Sequence, residues 1–409
     1  MAKKERKPLA KSNGWTSTFN LVGEVKLNEY TFKLDESSNS SDWIYNALNL
    51  GVDCGEKHGV VYAELMGGYG SDRQNMIYVH GKKEDGSDDF DNSYTIDWDD
   101  RDDESILADI GDLCFLTVGL EKDSKDKTFY KKFITPYDFI AYVKEHLKDK
   151  MVVNVRGQIK YRPYNGNIQC RKEINSIALS SATPDKYRAT FTQTMLLDRD
   201  SVTKDSIDKD KGVINVDAYV LEKFKEYNGW DLTNGGKTKG LFVPLHKNFE
   251  YEINPEKPEL TTAVINKLFK VKKGIMQVTF EGDFIEAGST VQATEADLTE
   301  DIRELIDLGL YSLEEALAKC TVGGSKERRM ILRKPTIKMI DGSNEGEKIP
   351  QIQRFEEVFT EEDMQLECLT AKETDDEEDT DEVPFEEEIA EETTVDEDDE
   401  LASLLAALD

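Results

Sequence analysis

Val153-Asn154-Val155-Arg156-Gly157-Gln158-Ile159 alternates apolar and polar positions around a glycine. The same apolar-x-apolar-x-Gly-x-apolar pattern returns 125 positions later as Val278-Thr279-Phe280-Glu281-Gly282-Asp283-Phe284. A period of two predicts a strand with one buried face, and the glycine predicts a kink in it. Each copy follows a helix-like run opened by a proline: Pro136 before Tyr137 to Lys150, and Pro258 before Glu259 to Lys273. Unit and flanks repeat together, which predicts tandem duplication of one small β-rich domain.

The rest of the chain fits that plan. Phe19, Leu21, Val25 and Leu27 alternate, and Val60 to Met66 and Met76 to His80 read as strands around a Gly-rich break. Leu113 to Leu120 is apolar enough for a buried strand. Asn165-Gly166 favours a hairpin between the Met151–Tyr161 and Ile168–Leu179 strands. In the second half Arg188 to Leu197, Gly212 to Phe224, Leu241 to Tyr251, Ile275 to Ile285 and Met330 to Ile340 follow in the same order. Thr294 to Lys319 carries apolar residues at helical spacing and reads as a helical insertion.

A helix before the last two of several strands is the order of an OB barrel. The expectation is therefore a mainly β, α+β protein with two tandem OB-like barrels. The divisions are a flexible basic arm (1–14), barrel 1 (15–180), barrel 2 (186–340) with the 294–319 insertion, and a linker and disordered tail (341–409). A pair of β-sandwiches is the alternative, but sandwiches rarely place a helix at one point twice.

Charge changes the picture at two places. The chain holds 84 acids and 52 bases. Glu373 to Asp409 alone has 19 acids and no Lys or Arg, so the preceding 372 residues carry 65 acids against 52 bases. Residues 84–104 contain 11 acids in 21 positions and read as a solvated acidic loop inserted in barrel 1. The five cysteines form no C-x-x-C pair, the four histidines no ligand spacing, and no apolar run reaches membrane-spanning length. No disulfide framework, metal, cofactor or membrane association is expected, and a cytoplasmic location is.

Against this acidity the hairpin stands out. Arg156, Lys160, Tyr161, Arg162 and Tyr164 lead into the turn, and Arg171 and Lys172 return from it. Cations that track phosphates beside rings that stack on bases are how single-stranded nucleic acid is held. The plain alternative is a solvated hairpin whose tyrosines cover the barrel rim. In the second copy Arg328, Arg329, Arg333 and Lys334 form a further basic group on the last strand.

The segment from Tyr142 to Leu179 resembles the last two strands of bacterial single-stranded DNA-binding proteins. Val155, Gly157, Ile159, Arg162, Tyr164, Ile177 and Leu179 carry the resemblance, over about 40 of the 409 residues. A tandem version resembles the larger DNA-binding proteins of phages and mobile elements. The resemblance implies a protein that coats single-stranded DNA during replication or recombination and recruits enzymes through an acidic tail. Asp381-Glu382-Val383-Pro384-Phe385 is similar to that family's tail tip, although Phe385 is not terminal. Beyond it, Leu401, Leu404, Leu405 and Leu408 make one helical stripe, too short to fold without a partner.

Two other readings differ in class. One is a non-catalytic assembly or virion protein that binds protein instead of DNA. The other is a metal-dependent nuclease using Asp97, Asp99, Asp100, Asp102 and Asp103, but the run lacks fixed ligand spacing and a nearby base. No phosphate loop or nucleophile elbow is present, so no enzymatic activity is expected.

Overall fold

The computed structural model describes residues 8–286 apart from 13, 40, 71–74 and 165–166. It further describes 290–291, 302–303, 306, 312, 322–323, 328–342 and 347–372. In the first half five strands are built on alternating apolar positions: β1 (Ser17–Lys26), β2 (Trp43–Asp53), β3 (Val60–Gly70), β4 (Val152–Tyr164) and β5 (Asn167–Leu179). β1 pairs antiparallel with β2 and β4, β2 with β3, and β4 with β5, while β5 runs parallel to β3. The order 1-2-3-5-4-1 closes a five-stranded barrel, and it is the OB order.

Helix α1 (Pro136–His146) crosses from β3 toward β4. Pro136 sits in its first turn and the Thr135 side chain accepts from the Asp138 amide, so the start is capped. Phe139, Ile140 and Val143 lie fully inside the core, each contributing roughly 1.5–3 kcal/mol by burial.

The second half repeats the pairing order with β6 (Arg188–Leu197), β7 (Val213–Phe224), β8 (Leu241–Glu252), β9 (Ile275–Ile285) and β10 (Arg329–Pro335). β7 pairs with β8, β8 runs parallel to β10, and β9 pairs with both β10 and β6. β6 and β7 meet at one residue pair, Leu196 opposite Tyr219. Between β8 and β9 the chain winds through Pro258–Leu260, Thr261–Val264 and Ile265–Phe269, three short helical turns of different pitch.

The halves are fused through their first strands. β1 and β6 pair antiparallel from Ser17 opposite Gln193 to Val22 opposite Arg188, with Phe19 facing Phe191. Phe19 also lies opposite Gly157, and Phe191 opposite Gly282. The order β4-β1-β6-β9 is thus one continuous sheet whose register reads the same from either half. Both glycines are sterically required. A Cβ at Gly157 would strike the Glu173 carbonyl oxygen and the Phe19 ring; at Gly282 it would strike the Ile331 carbonyl oxygen and the Phe191 ring.

Several expectations change. The acidic run is no solvated loop. Met76–Lys82 and Asp88–Asp97 form a hairpin whose Val79 and Ile96 pack with Ile110 and Ile134. Alternation of Tyr94 and Ile96 with polar residues drives this, most of the acids staying exposed while Asp88 turns toward His80. The supposed linker after 340 is folded: Arg354–Phe359 pairs with β9, and Phe359 and Met364 are buried. The arm is anchored by Leu9, buried with Leu196, Leu221 and Ile275. The insertion at 294–319 lies almost entirely outside the described residues, as do the 165–166 turn and the tail from 373.

Replacing Gly157 or Gly282 with alanine should each cost about 1–3 kcal/mol of stability, because overpacking moves a strand or a ring. Urea unfolding measures it. Two variants as stable as the parent chain would overturn the steric account of the repeat.

Candidate nucleic-acid interface

The period of two in β4 sorts the expected site residues. Val153, Val155, Ile159 and Tyr161 point inward, whereas Arg156, Lys160, Arg162 and Tyr164 stand on the outer face. Arg156 is exposed; Lys160, Arg162 and Tyr164 are half-buried. Tyr161 is 1% exposed and donates from its hydroxyl to Gln193 Oε1 at 3.0 Å. Burial pushes its phenol well above the ordinary tyrosine pKa. The expectation that Tyr161 stacks on a base is therefore corrected. Its place in the alternation with Val155 and Ile159 already carried that signal.

The hairpin leans on the second half of the chain. The Tyr161 amide donates to Glu222 at 3.3 Å, the Arg162 guanidinium lies 5.6 Å from the Phe224 ring centre, and Lys247 donates to the Ile168 carbonyl at 3.3 Å. Lys172 is buried in the same junction, 2.7 Å from Glu286 and 4.8 Å from the Phe284 ring centre. Desolvation opposes its charge, but Glu286 outweighs it and holds the ammonium pKa above its ordinary value. Lys172 is a structural cation, so its expected phosphate contact is corrected as well. Lys247 has no such carboxylate, and burial lowers its pKa.

On the outer face Lys160 stands directly opposite Arg171, and Arg162 opposite Gln169. Lys160, Arg162 and Arg171 line one cleft with Glu64, Leu65, Met66 and Glu173. Its floor is therefore the face of β3 between the β4–β5 hairpin strands and β2. Arg171 is hydrogen-bonded to Glu64, a largely buried carboxylate. Burial raises the Glu64 pKa, opposed by the Arg171 charge. Breaking so enclosed a pair costs about 3–5 kcal/mol, so Arg171 shapes the cleft as much as it charges it. Next to the cleft on β2, Trp43 stacks on Tyr45 at 4.7 Å, packed with Ala47 and Met66. These rings were absent from the sequence-based reading, which had no strand at 43–53.

The basic group of the second half is mostly neutralised. Arg329 pairs with Glu250 at 2.7 Å, Arg333 with Glu252 and with Asp283 at 2.8 Å, and Lys334 with Glu281 at 3.1 Å. Asp283 also takes Lys57 from the first half, which ties the two halves together. Arg328 is exposed. None of these four residues lines the cleft of Lys160, Arg162 and Arg171, although the Arg328 charge reaches Lys172.

One cluster has the residue types of a cysteine nucleophile. Cys114 Sγ lies 3.2 Å from His80 Nδ1, and His80 Nε2 lies 2.6 Å from Asp88. The sulfur is also 3.8 Å from Nε2, so it sits across the ring and out of line with the Nδ1 lone pair. Burial raises the thiol pKa. Asp88 also accepts from the Leu113 amide at 3.0 Å, so the trio fastens the acidic hairpin to the 112–114 turn. Among the described residues no group of three or more His, Cys, Asp or Glu side chains is arranged to hold a metal ion. Among them, too, no helix is long and apolar enough to cross a membrane.

No protein-family model matches the chain, and no curated protein matches it. Among solved structures it is similar to a deletion mutant of the single-stranded DNA-binding protein from Thermus aquaticus, at 10% identity and a TM-score of 0.26. That match covers 67% of this chain and 88% of the other.

Proposed function

We propose that the chain is a single-stranded DNA-binding protein built from two OB-like barrels, the second beginning at Arg188 and reaching through Arg354–Phe359. One observation carries the reading. Lys160, Arg162 and Arg171 converge on one cleft of a closed OB-order barrel, on the hairpin between its fourth and fifth strands. In OB folds the strand 2–3 face and that hairpin are where oligonucleotides lie. Arg156, Lys160 and Arg162 hold phosphates, Tyr164 stacks on a base, and Arg171 is shared between Glu64 and the strand. The protein coats DNA stoichiometrically during replication or recombination. The tail recruits partner proteins through Phe385 and the Leu401, Leu404, Leu405 and Leu408 stripe.

A protein-binding assembly role is the second reading. It is favoured by the carboxylates that already pair Arg171, Arg329, Arg333 and Lys334. The two part at low salt, where only the first expects affinity for DNA.

Labelled oligo(dT) should bind the full chain, and more tightly a chain ending at Lys372, since the tail's 19 acids repel the strand. Log affinity should fall with log salt by about 0.7 per phosphate neutralised. A tailless chain that fails to bind at low salt would sink the proposal. Within it, Tyr164→Ala should cost about 1–3 kcal/mol of binding. Lys160→Ala with Arg162→Ala should flatten the salt slope by roughly 1.4, one 0.7 step per lost contact. Tyr161→Phe should leave affinity unchanged and lower stability by about 1 kcal/mol through its lost hydrogen bond.

A further inference from the structure

The sheet does not end at β5. Leu116–Lys122 runs parallel to β5, and Thr128–Phe133 pairs with it as the last strand of the sheet. Reading the register outward from the hairpin gives a row of directly opposed residues: Arg156, Ser176, Thr117 and Lys132. Residues directly opposite across adjacent strands project from the same face. The neighbouring row is Asn154, Ala178 and Gly119. The middle of this surface is thus made of small residues, with a cation at each end. Three strand spacings separate Arg156 from Lys132, roughly 14 Å.

A ring completes the surface. Tyr130 is 56% exposed, and its ring lies over Gly119, where an added Cβ would come within 2.7 Å of Cε1. The glycine lets the ring settle on the sheet while much of the ring stays open to solvent. Lys132 shares Asp112 at 3.0 Å, an exposed pair worth at most about 1 kcal/mol, which a phosphate can replace. Phe129, also exposed, stands opposite Glu121, which takes the Tyr142 hydroxyl from α1. It belongs to the helix side and serves as a control.

We infer that the outer face of the β4, β5, Leu116–Lys122 and Thr128–Phe133 strands is a second contact for single-stranded DNA. Tyr130 stacks on a base, and Lys132 and Arg156 hold the phosphates on either side. This rests on the DNA-binding reading and adds a path that leads away from the cleft, so the strand engages barrel 1 over more than one hairpin.

The test compares oligo(dT) of two lengths, one just filling the cleft and one several times longer, on full-length protein. Tyr130→Ala with Lys132→Ala should weaken the long oligonucleotide about tenfold and spare the short one, while Phe129→Ala changes neither. Iodouracil placed along the long oligonucleotide should crosslink to Tyr130. Parent-like binding of both lengths by the double variant, with no crosslink within 128–133, overturns this inference alone. Failure of the parent chain to bind either length overturns the DNA-binding reading and this inference with it.

Discussion

The antiparallel pairing of β1 with β6 is the constraint on which the molecule depends. It sets Phe19 against Phe191, and each ring then closes onto the glycine of its own half. Because β1 also pairs with β4, and β6 with β9, one strand pair joins both cores into a single cluster of buried residues. A shift of one residue in this register would turn every inward side chain of β1 outward. The repeat visible along the chain marks the residues that meet where the two halves pair.

That fusion explains why the basic hairpin is only half available. Its strands extend beyond the first core and rest on β7 and β8, so the inward face at Tyr161 and Lys172 is committed to the junction. The outer face at Arg156, Lys160, Arg162 and Tyr164 keeps its polar character, with Arg156 exposed and Arg162 lying against Phe224 of the second half. Rigidity is the consequence for function. A hairpin propped from behind holds its cations in place, which would lower the ordering cost of the binding proposed for it.

Local pattern carried most of the fold. The alternation around Gly157 and Gly282 and the proline-capped α1 were legible because each depends on neighbours within a few residues. The β2 strand was missed because Trp43 to Asp53 is buried on both faces over much of its length, which removes the period of two. The returning strand of the acidic hairpin was missed because its charge hid Ile96, which packs in one cluster with Val79. On the basic hairpin the residue types were legible and the direction each one faces was not. Tyr161 and Lys172 looked like ligand contacts because composition counts residues without asking which way they face.

The pairing of Arg329, Arg333 and Lys334 was illegible for another reason: Glu250, Glu252, Glu281 and Asp283 reach them only through strand pairing. This pairing also bears on the apparent conflict between an acidic body and the anionic ligand proposed for it. Screening confines exposed charges to about 8 Å at physiological salt, so the net charge of the body matters less than the field within one strand spacing or two of the cleft. Where carboxylates lie within that range, as around β10, cations hold the fold together. At the cleft, two carboxylates, Glu64 and Glu173, stand among Lys160, Arg162 and Arg171. The two halves differ in where acids fall on the shared sheet, which one repeated topology leaves free to vary.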